Sequence, residues 1–113
     1  MAPAGGAHGR IAARLLGRMF GFVETHRLGE LFAAETGFRL RRDPDTVRAP
    51  DVAFVGADRA AEAGVPGFPA VVPDQVAEVV GPSDRAVDVV GEALAWLDAG
   101  CGSSGWWTRR TAR

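Results

Sequence analysis

Lysine, asparagine and tyrosine are absent from this 113-residue sequence, and isoleucine occurs once, at Ile11. All four have AT-rich codons, whereas Ala, Gly, Arg and Pro are abundant, a pattern that reads as a GC-rich gene. A dominant charge is lacking as well. The 13 basic groups, every one an arginine, stand against 14 acids for a net charge of −1. The overall balance therefore does not advertise a polyanionic partner, although balanced totals leave room for a local patch. The single cysteine, Cys101, excludes an internal disulfide and a multi-cysteine zinc site and fits a reducing compartment, so the cytoplasm is the expected location. No apolar run approaches the roughly 18 residues that cross a bilayer, and the opening "MAPAGGAHGR" lacks the basic-then-apolar order of an export signal. What remains, with 47% hydrophobic residues, suits one domain around one modest core.

From Ile11 to about Thr25, the apolar positions Ile11, Leu15, Met19, Phe22 and Val23 recur at three- and four-residue spacing, while Arg10, Arg14 and Arg18 share another face. This predicts an amphipathic helix stopping at Leu28-Gly29. Gly17 and Gly21 cost it about 1 kcal/mol each against Ala, so tertiary packing has to hold it. "GELFAAETGFRLRR" predicts strand and turn, and "DPDT" is turn chemistry leading into a strand from about Pro50 to Val55, with antiparallel pairing the natural expectation. Residues 56–73, rich in Gly and Pro, predict a long irregular connection before a strand at Gln75 to Val80. Ser83 is placed to cap a following helix with Asp84 near the positive end of its dipole. Val87, Val90, Leu94 and Leu97 form that helix's apolar face, and Gly100 stands where a left-handed C-cap glycine belongs. The expected class is α/β or α+β, a mixed sheet flanked by helices.

Two strands begin alike. "APDVAFV" sets Asp51 after Pro50, and "VPDQVAEVV" sets Asp74 after Pro73 with a further acid, Glu78, inside the strand. Acids on adjacent strands whose side chains reach the same edge can hold a hard cation such as Mg²⁺ through oxygen ligands. Glu78, among Val76, Val79 and Val80, is otherwise costly to bury unless paired or metal-bound. The plainer alternative is that Asp51 and Asp74 cap turns and Glu78 faces solvent. Spacing alone leaves both readings open.

The stretch from "HGRIAARLL" through "RLGELFAAETGFRLRRDPDTVRAPDVAFV" to "PDQVAEVVGPSDRAVDVV" and "ALAWLDAG" resembles the Uma-two family of the PD-(D/E)xK nuclease superfamily over about residues 8–100. The resemblance implies a restriction-endonuclease-like fold and a Mg²⁺- or Mn²⁺-dependent DNA endonuclease. By the same resemblance Asp51 and Glu78 would be metal-binding catalytic acids, Glu35 a third ligand, and His8 a recurrent position without an assigned role. DNA is the implied partner, and a homodimer is a candidate assembly.

The departures matter equally. The superfamily uses a lysine to stabilise charge developing at the phosphate. This chain has none. Val80 stands in the acid-x-lysine position, and Gly91 is the match for the lysine that the family carries on the following helix. Arg85 is the nearby cation, and an always-charged guanidinium is a poor proton handler. The tail "GCGSSGWWTRR" lacks the strand the family places there, but a one-base step back in GC-rich codons reads VRLVWVVDP, which has that form. The expectation is thus a frameshifted chain: a partial domain at residues 1–100, incomplete at its C-terminus, and an aberrant, disordered tail at 101–113 that leaves a sheet edge open to association. Activity is then in question, and the alternative function is that of a non-catalytic binding or dimerisation remnant.

Overall fold

The computed structural model describes residues 5–108. Helix α1 (Gly6–His26) comes first, followed by strands β1 (Gly29–Ala33), β2 (Phe38–Arg41), β3 (Thr46–Arg48) and β4 (Val52–Gly56). A single turn α2 (Ala60–Ala63), strand β5 (Gln75–Val80), helix α3 (Ala86–Asp98) and strand β6 (Ser103–Thr108) complete the order. Four strands form a mixed sheet in the order β1-β4-β5-β6, and β2 and β3 form a separate hairpin. β4 is antiparallel to both β1 and β5, while β6 runs parallel to β5. The expected mixed sheet flanked by helices is the observed architecture.

The two proline-led strands start from fully buried prolines, Pro50 and Pro73. Each ring restricts the backbone that launches its strand. β4 and β5 then alternate: Ala53, Val55 and Val76 join Phe38 of the hairpin and Trp96 of α3 in the core, whereas Val52 and Ala77, paired to each other, are buried on the opposite face.

α1 ends as its leucine-glycine signal suggests, but Arg27 rather than glycine takes the left-handed conformation, with φ 51°. The amides of Arg27 and Leu28 close the last turn onto the carbonyls of Glu24 and Val23. Of its expected apolar face, Val23 is buried but Phe22 points to solvent, where its ring stacks on His26 at 4.3 Å. α3 corrects the sequence reading more strongly. It begins at Ala86 with Arg85 as N-cap and no side-chain cap bond. Ser83 therefore does not cap it, and the Asp84 carboxylate instead accepts the Gly81 amide at 2.7 Å. Val87, Val90, Leu94 and Leu97, the expected core face, are 65%, 45%, 58% and 45% exposed. The buried side is led by Trp96, at 1% exposure. Gly100 does behave as expected: with φ 105°, it lets the amides of Gly100 and Cys101 bond back to the carbonyls of Leu97 and Trp96.

The disordered tail is also corrected. Residues 103–108 form β6, paired in register along all of β5 from Gln75↔Ser103 to Val80↔Thr108. A helical crossover returns the chain parallel to the strand it left, and the second edge of β5 offers unpaired backbone groups to whatever returns there. Pairing of that kind needs no side-chain pattern, so the frameshift reading loses its main structural consequence. The remainder of the expected tail, 109–113 with its Arg109 and Arg110, lies outside the described residues.

Candidate functional site

The register between β4 and β5 builds the site. Val52 pairs with Ala77, so extending the ladder by one position sets Asp51 opposite Glu78. Both side chains then project to the side that also carries Ala53 and Val76. The Asp51 carboxylate crosses to β5, where its Oδ2 accepts the amide of Val79 at 2.7 Å. The same oxygen lies 3.3 Å from Nε2 of His8 on α1. Asp51 and Glu78 share the floor of a cleft of about 570 Å³. Its walls are the start of α1 with His8, the hairpin with Arg48, and the cleft side of α3 with Arg85, Asp88 and Glu92.

Charge in the cleft is unbalanced toward the acids. Burial pushes the Glu78 carboxyl up to about 8, and the negative charges of Asp51 and Glu92 add to the effect. Burial thus favours the protonated form of Glu78, and a side-chain hydrogen bond with Asp51 adds to that preference. The second proline-led acid has a different fate. Asp74 accepts the Gly56 amide and an Arg59 N–H, both at 2.7 Å. The backbone bond, foremost, holds its carboxyl below the usual range. Asp74 ties the loop after β4 to the start of β5, which is the capping role; Asp51 faces the cleft.

The remaining sequence candidates separate. Arg85 reaches the cleft from the N-terminus of α3. Glu35 does not reach it: it sits exposed in the turn after β1, with φ 73°. Among the described residues no group of three His, Cys, Asp or Glu has the arrangement of a metal site. Gly91, the expected lysine match, is exposed, and a Cβ there would meet nothing within 4 Å. Glu92 is the residue that faces the acids. A slip of one residue turns a helix by about 100°, enough to exchange an outward position for an inward one. Arg85, Asp88, Glu92 and Trp96 follow one another at three- and four-residue intervals along the cleft side. That spacing was visible in the sequence but was outweighed by the more apolar stripe.

Residues 1–113 match the model of the Uma2 family, described as "Putative restriction endonuclease". No curated protein matches the chain. Among solved structures, the chain is similar to a putative nuclease belonging to DUF820 from Anabaena variabilis ATCC 29413, with a TM-score of 0.77 at 18% identity over 96% of this chain. The likeness shows a shared fold. The chain spans 59% of the length of that protein, and no helix among the described residues is long and apolar enough to cross a membrane.

Proposed function

The chain belongs to the Uma2 family of "putative restriction endonucleases", and from that premise we propose that it hydrolyses phosphodiester bonds in DNA, with the Asp51–Glu78 pair as the reaction centre. The observation that carries this reading is the pair itself. Two acid side chains are held together in a half-buried cleft, where burial first and the charge of Asp51 second raise Glu78 to about 8. Acid groups forced together in this way mark functional sites more often than structural ones.

The donor chemistry fits a hard divalent cation, Mg²⁺ or Mn²⁺, which commonly takes one or two carboxylates and completes its shell with water and phosphate oxygens. Asp51 and Glu78 would hold it, and it would supply Lewis-acid stabilisation of the phosphate. The protein's own groups have distinct tasks. The Val79 amide and His8 fix the orientation of Asp51. Arg85, at the cleft wall, offers a permanent positive charge to a phosphate oxygen. Glu92 opposes both, because it presents negative charge where a polyanion has to approach.

This last feature supports a second reading, a nuclease-fold protein that binds without cutting. A chain with no lysine anywhere leaves only guanidinium groups to meet charge developing at the phosphate, and sets an acid facing its reaction centre. One experiment separates the two. Plasmid DNA is incubated with the protein and Mg²⁺ or Mn²⁺, alongside Glu78→Gln. Slow, metal-dependent nicking that Glu78→Gln abolishes supports hydrolysis at this pair; cleavage indifferent to Glu78→Gln overturns the pair as reaction centre, and DNA bound without cleavage at any metal concentration supports the binding reading.

A further inference from the structure

The apolar stripe on the outer side of α3 has no partner among the described residues, yet its composition states what kind of partner it fits. Among the described residues, Val87, Val90, Leu94 and Leu97 are the largest cluster of exposed aliphatic side chains on one element, between 45% and 65% exposed. Their spacing of three, four and three residues is that of the a and d positions of two heptads, a narrow seam suited to another helix. The positions flanking the seam are Ala86, Gly91, Ala93 and Asp98. Three of the four are small, which allows two backbones to approach closely, and nothing lies within 4 Å of a Cβ built at Gly91.

We propose that this seam is a homodimer interface in which α3 packs antiparallel against α3 of a second copy. The three-four-three spacing reads the same in both directions, so a two-fold axis beside position 92 sets Val87 against Leu97 of the second copy and Val90 against Leu94. Charge selects the antiparallel sense. Asp98 ends α3 with a negative charge at the negative end of its own dipole, and no basic residue occupies that last turn. The opposite end has the complementary defect: no side chain caps its free amides. The same two-fold axis brings Asp98 of each copy to Ala86 of the other, beside the uncapped amides. Each unfavourable end thereby meets the other. A parallel pair would place Asp98 beside Asp98 and leave both ends uncompensated.

The interface is independent of any cleavage activity, and its test is the oligomeric state of the full chain, followed by light scattering and sedimentation over a concentration series. A monomer–dimer equilibrium is expected. Leu94→Glu, at an exposed position and checked for fold by circular dichroism, weakens it by on the order of a hundredfold, since two leucines are lost per dimer. Val87→Ser gives a second reading at the most exposed position, should Leu94→Glu disturb the fold. Asp98→Arg also weakens association. Combining it with Ala86→Asp restores association toward the parent value, because only the antiparallel arrangement joins those positions. A chain monomeric at every soluble concentration, a dimer indifferent to Leu94→Glu and Val87→Ser, or a charge swap that fails to restore pairing each overturns the proposal.

Discussion

Glu78 and Glu92 concentrate the chemistry of the molecule at the residue scale. With a folded-state value of about 8 against an ordinary value of 4.5, Glu78 binds its proton more tightly in the native chain than in the unfolded one. The sign follows: this contribution is fully present below about pH 4.5 and is lost as pH rises through 8. Unfolding midpoints in urea between pH 5 and pH 9 should therefore fall with rising pH. Glu78→Gln, which cannot ionise, should flatten that fall by a few kcal/mol. Divalent cations should bind more tightly across the same window, because their binding has to displace the proton. Glu92 supports a second prediction. Glu92→Lys converts a repulsion at Glu78 into an attraction and points a cation into the cleft. It should raise the Mg²⁺-dependent nicking rate by about a hundredfold, while Gly91→Lys, on the outer side, leaves it near the parent level. Equal effects of the two substitutions in a plasmid assay would refute the assignment of position 92 as the inward one.

At the scale of elements, α3 shows how far periodicity reaches. The helix has two apolar sides, one with Val87, Val90, Leu94 and Leu97 and one with Val89, Ala93 and Trp96. Either satisfies the helical repeat, and the more aliphatic one misleads because its four residues outnumber the three opposite. What decides is volume. Trp96 joins Ala53 and Val76 in the buried core, where its bulk supplies more packing than a valine or leucine of the other side would. Trp96→Ala should cost about 3–5 kcal/mol in chemical denaturation. Val87→Ala should change stability by no more than about 0.5 kcal/mol in the monomer. The strands were easier to read: β5 spans the expected Gln75–Val80, because a buried valine run bounded by Pro73 and Gly81 leaves little freedom in where a strand can start or stop.

For the whole molecule, β6 closes the sheet and the wall of the cleft, where Gly105 lies. A chain ending at Gly102 should lose cooperative unfolding stability and gain a tendency to aggregate, since the exposed edge of β5 then presents its unpaired amides and carbonyls to other chains. Differential scanning calorimetry with light scattering checks both. Unchanged melting in that truncated chain would mean that β6 contributes nothing to the sheet.

The identities and spacing of residues determined by themselves the order of the main elements through α3 and the two proline-led strand starts, each of which depends on interactions close in sequence. That Asp51 meets Glu78 was open from spacing alone, and the register of β4 on β5 decided it. Only the tertiary structure decided which side of α3 is buried, that Glu35 stays apart from the acids, that Glu92 rather than Gly91 turns toward them, and that "SSGWWT" becomes a strand. These outcomes depend on the rotation of one element against another and on an open sheet edge supplied by a distant strand. A helix repeat specifies which residues share a side but not which side finds a partner, and a strand edge recruits backbone regardless of the side chains it carries.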